Sequence, residues 1–355
     1  MINTLPIYAS QDEMGLHIAL EAEKSFNEML ESAGIAELHE FEESGVVTEA
    51  KSGSLKDAFL GWLNKVWEAI KKAYDTVLEF VKKHTDKVRE KLSEIAAKDK
   101  AAFVKRAGLL NEKGKDGKKK NFGKAHTWDG FNDVINSRGP VWKAINVYDN
   151  AVSKLPAVDY SKNLDGSKIK TSGEALTNAS DSARAKIQEV FENVNKEAKT
   201  ALGVGSLESA KIQAKVKKII TGKEIDVDKN YITSHAEELF GYGTDFGKTA
   251  SDVKKNINAV KKNFDSTKRE LEAFYRKIHG NDTVIASVIK NMKQGKLVLT
   301  AISNATVSSV RTRCIEASGI VLRVAVAGRA KEEAANESAI VPSAFQTELA
   351  SLFEI

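Results

Sequence analysis

The chain has 355 residues, of which 42% are hydrophobic and 29% are charged, and its formal net charge is +5. Such a composition excludes a wholly disordered protein, and the length allows one large domain or two to three small ones. The four prolines leave long stretches in which helices can run without interruption. The single cysteine, Cys314, excludes an intramolecular disulfide and a cysteine-based zinc site, and it is expected to be a buried apolar residue.

Charge is divided unevenly along the chain. Residues 1–50 contain eleven acidic residues against one lysine, a formal charge of −10, so residues 51–355 carry +15. Such a division suggests an acidic module that shields a basic one or is later separated from it; the alternative is a solvated acidic helix without a special role. Residues 11–33 are predicted to be helical, with Ser10 as N-cap. The polar junction at 44–54 is expected to be exposed to proteases.

Neither a secretory signal nor a membrane span is expected. The first 20 residues have no basic segment and no long apolar run. The most apolar stretch, Val298 to Ala327, is interrupted by four charged residues, which makes a transmembrane helix improbable. We therefore expect a soluble protein made in the cytoplasm.

An amphipathic helix is predicted from Leu55 to about Lys98, because apolar residues recur there at spacings of three and four. Its basic polar side and its tryptophans, Trp62 and Trp67, also fit a helix that lies on a membrane. Burial against partner helices is the favoured interpretation, since the apolar stripe has ordinary width.

A basic Gly/Lys loop follows at 111–124, and its lysines are candidate nucleic-acid ligands because ammonium groups neutralise phosphates. These candidates are Lys113, Lys115, Lys118, Lys119, Lys120 and Lys124. Residues 125–155 are predicted to form a compact helical patch, and residues 156–173 a linker.

Helices are predicted again at 174–201, 206–221 and 249–279. The last has a heptad seam of about three repeats, typical of a helical hairpin or short coiled coil. A buried helix pair is expected over 283–327, with a break near Gly295, and an acidic tail beyond it. The strand candidates, Val46–Val47 and Ile225–Val227, are short.

Two segments resemble nucleotide-binding or calcium-binding motifs but depart from them at essential positions. Gly241 to Thr249 resembles a P-loop but has the wrong spacing and a helical context. Asp226, Asp228, Asn230 and Glu237 match EF-hand ligand positions, but Tyr231 stands where the loop needs glycine. The alternative there is a helix capped by Ser234 with Glu237. No catalytic residue, metal site or cofactor is expected, and no small-molecule substrate.

Nucleic acid is a further candidate partner for the basic body. The residues of 249–279 that could neutralise phosphates are Lys254, Lys255, Lys261, Lys262, Lys268, Arg269, Arg276 and Lys277. Acidic residues are interleaved with them, so a solvated face is the favoured alternative and non-specific contact the most that is predicted.

The first 55 or so residues resemble the internal head and prohead core proteins of large tailed bacteriophages. The resemblance rests on an acidic helical segment, an exposed aliphatic-x-Glu step and a basic helical body. In that family a prohead protease cuts after a glutamate that has a small aliphatic residue two places upstream. The resemblance implies cleavage here after Glu49 or Glu37. The cleavage-site candidates are Val47, Thr48, Glu49 and Ala50, with Ile35 and Glu37 at the second position.

The expected fold is all-α: long amphipathic helices packed as an elongated bundle, with little or no sheet. The expected organisation is an acidic segment (1–50), a basic helical region (51–172), a helical bundle (173–330) and an acidic tail (331–355). The leading hypothesis is a non-enzymatic virion structural protein, whose partners are other virion proteins, the prohead protease and packaged DNA. The alternatives are a membrane-active helical effector with a masking pro-segment and a non-specific DNA-binding accessory protein.

Overall fold

The structure, a computed structural model, describes residues 53–94, 99–113, 120–155, 172–278 and 282–352. Ten helices lie in these ranges. They are α1 (Gly53–Glu94), α2 (Lys100–Leu109), α3 (Phe131–Ile135), α4 (Gly139–Ser153), α5 (Ser172–Leu202), α6 (Ser209–Thr221), α7 (Lys229–Ser234), α8 (Ala236–Thr244), α9 (Phe246–Lys277) and α10 (Asp282–Leu352). The helices pack against each other, so the predicted all-α fold is confirmed.

The described sheet is one antiparallel pair, β1 (Lys124–His126) with β2 (Glu224–Asp226). Ala125 pairs with Ile225 at its centre. The candidate strand at 225–227 is thus close to β2. The basic loop predicted over 111–124 ends instead in β1. Three residues give no local strand pattern, and their partner is about a hundred positions away, so pairing rather than propensity makes this strand.

Two compact units divide the described chain. One comprises residues 53–76, 129–220 and 253–308, and the other comprises 77–128, 221–252 and 309–352. We call them unit 1 and unit 2. The helices α1, α9 and α10 contribute residues to both.

Helix α1 shows the predicted amphipathic pattern in both units. Its stripe is buried at Phe59, Leu63, Ile70 and Tyr74 in unit 1, and again from Val77 onward in unit 2. Burying a side chain of this size contributes about 1.5–3 kcal/mol. This burial favours the core interpretation of the stripe over the membrane interpretation. Within the described ranges, no helix combines the length and the apolar character needed to cross a bilayer.

Helix α10 is a single helix where a break near Gly295 was expected, and this expectation is wrong. Gly295 is helical, and a Cβ built there would lie 2.7 Å from Cδ1 of Tyr148 in unit 1. Glycine is needed for this close packing rather than for a turn. The unit 1 part of α10 is buried on nearly all sides from Val298 to Val307, as expected of a helix at the centre of a core.

The heptad seam of α9 is also buried. Val260, Phe264, Thr267, Leu271, Phe274 and Ile278 form its buried positions, while Ile257 is half-buried. Helix α5 ends directly before Gly203, which has the left-handed backbone conformation, at φ 64°. This is the usual conformation of a glycine that terminates a helix.

Candidate functional site: a basic helix pair over a buried lysine

Helices α1 and α9 run antiparallel in unit 1, and four contacts fix their register. Lys56 Nζ lies 5.4 Å from the centre of the Tyr275 ring. Lys268 Nζ donates to Asn64 Oδ1 across 2.5 Å. The rings of Trp67 and Phe264 are 5.9 Å apart, and the Tyr74 hydroxyl donates to Asn256 Oδ1 across 2.5 Å. As the residue numbers rise along α1, the numbers of the contacting residues on α9 fall, so the two helices are antiparallel. The first half of α1 is thereby aligned with nearly the full length of α9 in this unit.

The outer side of α9 carries basic residues in pairs, which we call the basic ladder. Its four pairs are Lys254–Lys255, Lys261–Lys262, Lys268–Arg269 and Arg276–Lys277. All eight residues are exposed except Lys268, which is half-buried. The intervals of seven, seven and eight residues are close to two helical turns, so successive pairs lie on one side of the helix, about 11 Å apart.

Three acidic residues, Asp265, Glu270 and Glu272, interrupt the eight basic residues of the ladder. The net charge of α9 between Lys254 and Lys277 is therefore +5. Lys261 already forms an ion pair with Asp265, with Nζ 2.6 Å from Oδ2. Such exposed pairs are worth little and are easily exchanged for another anion. The ladder therefore offers a row of cations to a long anionic partner.

Two half-buried tryptophans of α1, Trp62 and Trp67, each have a lysine over the ring, and the lysine over Trp67 belongs to the ladder. Lys261 Nζ lies 6.0 Å from the Trp67 ring centre, and Lys293 Nζ lies 5.7 Å from that of Trp62. The Trp62 ring also stacks on Phe59 at 5.5 Å. Because cations occupy these rings, the face is suited to contact with phosphate or carboxylate groups more than to stacking on bases.

A buried lysine lies in the core of unit 1, on the inner side of α9. Lys296 of α10 donates to the amide oxygen of Asn263 on α9, whose amide nitrogen donates to the Asp149 carboxylate on α4. The direct distance from Lys296 Nζ to Asp149 Oδ1 is 3.8 Å. Nζ also lies 5.3 Å from the ring centre of Phe264. The asparagine amide thus bridges an ammonium and a carboxylate and joins three helices.

Burial dominates the electrostatics of this cluster. It lowers the pKa of Lys296 to about 8, although Asp149 and Glu270 both favour the charged ammonium. Burial also raises the pKa of Asp149, against the opposing effect of Lys296 and the hydrogen bond from Asn263. Both charged forms therefore cost free energy in the core, as is common for buried ion pairs. The cluster joins α4, α9 and α10, and in some proteins buried polar groups of this kind fix the register of helices.

Unit 2 has its own buried cation, Arg313 on α10. Its guanidinium lies 3.8 Å from the Tyr242 ring centre and 5.4 Å from that of Trp128, and it donates to the Glu238 carboxylate. Burial lowers the pKa of Arg313. The planar guanidinium is suited to stacking and hydrogen bonding together, so this residue ties α8 to α10 within the unit.

A second polar contact in unit 2 attaches β1 to α10. Nδ1 of His126 lies 2.5 Å from Oε1 of Glu316, and the His126 backbone N–H donates to Oε2 of the same carboxylate across 3.1 Å. One glutamate therefore holds both the backbone and the side chain at the end of the strand.

Three lysines of the predicted 111–124 loop are described, and these three, Lys113, Lys120 and Lys124, belong to unit 2. Lys113 and Lys120 are exposed, and the Lys120 N–H donates to the Glu112 carbonyl across 2.9 Å. Lys124 is on β1, with Nζ 2.6 Å from Glu224 Oε1. Lys115, Lys118 and Lys119 lie outside the described residues. So do all the cleavage-site candidates, from Ile35 and Glu37 to Val47, Thr48, Glu49 and Ala50.

The segment that resembles an EF-hand loop contains the starts of helices α7 and α8. Asp228 caps α7 by accepting from the Tyr231 N–H across 2.9 Å. The capping box expected at Ser234 is not formed, because α8 begins at Ala236 with His235 at its N-cap and no side-chain cap bond. Among the described residues, no group of three or more His, Cys, Asp or Glu side chains is arranged to hold a metal ion.

Sequence reasoning named the residues of the ladder but missed the surface that they make with α1. Periodicity shows which side of each helix is apolar, but the partner of that side depends on tertiary packing. Lys296 was not predicted to be buried, because Lys293, Gln294 and Gly295 precede it and the local pattern does not establish that its charge is buried. The one indication in the sequence was the apolar stretch that begins directly after it, at Leu297, Val298 and Leu299.

Comparison of the chain with protein-family models, with curated proteins and with solved structures finds no match in any of the three.

Proposed function

We propose that this chain is a non-enzymatic structural protein of a bacteriophage virion, located in the head interior or bound to the capsid. In this proposal it is made with an acidic N-terminal segment, which a prohead protease removes after Glu49. The remaining body, with a formal charge of +15, packs with other virion proteins and compensates charge on the packaged DNA. Its work is packing and charge compensation rather than chemistry.

The observation that carries the proposal is the change of charge sign at Ala50–Lys51. A cut after Glu49 separates all eleven acidic residues of the N-terminal block from the basic body. The Val47–Thr48–Glu49 step that resembles the protease site lies at the same point. An acidic block without a special role would have no reason to end where such a step occurs.

The basic ladder supports the DNA part of the proposal. Its cations are regularly spaced on one helix, and the neighbouring Trp67 ring has Lys261 over it. Such a face suits phosphate contacts without sequence readout, which is the expected behaviour of a protein that meets packaged DNA of any sequence.

The first experiment identifies the mature chain in particles. Intact mass and N-terminal sequencing of the protein from purified virions are expected to show a chain that begins at Ala50. In phage that carry Glu49→Ala, the acidic segment should stay attached to the body, whereas Glu37→Ala should leave the cut at Glu49 unchanged. A virion chain that begins at Met1, or virions that lack the protein, would count against the proposal.

The second experiment measures non-specific binding of the full chain to a duplex of about 20 base pairs, against salt concentration. The ladder variant Lys254→Gln/Lys255→Gln/Lys261→Gln/Lys262→Gln should weaken binding and lower the slope of log K against log salt by up to about four, since each phosphate contact contributes roughly 0.9. The control variant Lys113→Gln/Lys120→Gln/Lys124→Gln should change it less. If the two variants behave alike, the ladder has no special role.

A further inference from the structure

The uncleaved chain contains both a row of cations and an acidic segment joined to one end of that row. We propose that residues 1–50 dock intramolecularly on the basic ladder of α9, so that the acidic segment occupies the DNA-contacting face until the chain is cut after Glu49. The docking itself needs no DNA; only its consequence for packaging rests on the proposed function.

The attachment point supports this occupant. Helix α1 begins at Gly53, and Lys56 in its first turn contacts the Tyr275 ring, one residue before the last pair of the ladder. The acidic segment therefore enters the structure at the Arg276–Lys277 end of the ladder. A short tether of this kind gives an effective concentration of roughly millimolar, which lets weak charge pairs hold together.

The charge patterns are complementary. The segment carries −10, and α9 carries the largest net positive charge of the described helices, +5 between Lys254 and Lys277. Glu13, Glu21 and Glu28 are spaced by eight and seven residues, and the ladder pairs by seven, seven and eight. Both sets of intervals are close to two helical turns. On two helices that lie side by side, successive glutamates would therefore lie opposite successive ladder pairs.

The dimensions also agree. A helix over 11–33, as the sequence predicts, would be about 35 Å long, and the ladder from Lys254 to Lys277 has the same length. Residues 34–52 can span up to about 60 Å when extended, so the connection reaches either end of the ladder. The basic helix α6 is a possible competitor, with Lys211, Lys215, Lys217 and Lys218, but it is 13 residues long and too short to match the spacing.

The docking is tested by zero-length carbodiimide cross-linking of the full chain, which joins a lysine amine to a carboxylate in contact with it. Mass spectrometry should find links from Glu13, Glu21 or Glu28 to the ladder lysines at low salt, and these links should be lost in high salt. A mixture of isotope-labelled and unlabelled protein separates links within one chain from links between two chains. Links that go mainly to α6 or to the 111–124 loop, or only between chains, would overturn the proposal.

The consequence is tested by DNA binding of two full-chain variants with equal charge. Glu13→Gln/Glu21→Gln/Glu28→Gln should bind the duplex at least about tenfold more tightly than the wild type at low salt, and the gain should fade as salt screens the charges. The control Glu40→Gln/Glu42→Gln/Glu43→Gln should gain much less. Equal gains would mean that net charge alone matters and would sink the docking.

The two experiments separate this proposal from the proposed function. Intrachain links to the ladder without DNA binding by any variant would support the docking and contradict the DNA role. DNA binding through the ladder without such links would leave the DNA role standing and contradict the docking.

Discussion

The Lys296 ammonium lies 3.8 Å from the Asp149 carboxylate, and the side-chain amide of Asn263 bridges the two groups. Each of these residues belongs to a different helix, and Lys296 is 4% exposed. A charge buried this deeply is stable only while its partners stay in place. The contact therefore makes the packing of α4, α9 and α10 in unit 1 testable by substitution.

Replacing Lys296 alone should destabilise the protein. Lys296→Met leaves the Asp149 carboxylate and the Asn263 amide without their cation, and we expect a loss of about 3 kcal/mol in the free energy of unfolding. Lys296→Met/Asp149→Asn should recover most of it, since the unpaired charge is then gone. Urea unfolding measures both. Lys290→Met, an exposed position on the same helix, should stay within about 0.5 kcal/mol of the wild type, and an equal loss there would contradict the assignment.

The stability of the protein should rise with pH in the alkaline range because of Lys296. Its pKa is about 8 in the folded chain and 10.5 as an ordinary lysine. Between these values the unfolded chain binds more protons than the folded chain, so raising the pH favours folding. The gain is of the order of 3 kcal/mol across that window. It should appear as the difference between the wild-type and Lys296→Met unfolding curves, and parallel curves from pH 7 to 10 would refute it.

Substitution of Gly295 should be harmful although alanine favours helices. A Cβ there would lie 2.7 Å from Cδ1 and 2.8 Å from Cγ of Tyr148, so Gly295→Ala forces the ring to move and should cost about 1–3 kcal/mol. Gly319 on the same helix is the matched control, because its nearest contact is a flexible arginine tip at 3.4 Å. Gly319→Ala should be neutral or stabilise by up to about 1 kcal/mol. Thermal melts should show a lower midpoint for Gly295→Ala and an unchanged or raised midpoint for Gly319→Ala, and an equal drop in both would contradict the packing role of Gly295.

The thiol of Cys314 should be unreactive until the chain unfolds. Burial raises its pKa to about 12, so almost no thiolate is present at pH 8, and the side chain is fully buried. Because the chain contains one cysteine, a chromogenic disulfide reagent should titrate one thiol in guanidinium and almost none in native buffer. The slow native reaction should follow the unfolding rate. Rapid labelling of the native protein would show that unit 2 opens at this position.

Several elements could be predicted from local sequence because local spacing determines them. The stripes of α1 and α9, and the extents of α5 and α6, follow from periodicity and from terminating residues such as Gly203. The basic residues of α9 could also be identified from the sequence, although not the surface to which they belong. The break at Gly295 was wrongly predicted, since the sequence cannot distinguish a glycine that ends a helix from one that admits a tyrosine ring.

The sequence by itself determined that the chain is helical, that its acidic and basic charge are divided near residue 50, and which side of each long helix is apolar. These properties depend on residue identity and on spacings of a few positions. Only the tertiary structure decided that Lys296 is buried beside Asn263, that β1 pairs with β2, and that Lys261 of α9 lies over the Trp67 ring of α1. Those relationships join residues far apart in sequence, and their free energy depends on burial and distance, which no local pattern specifies.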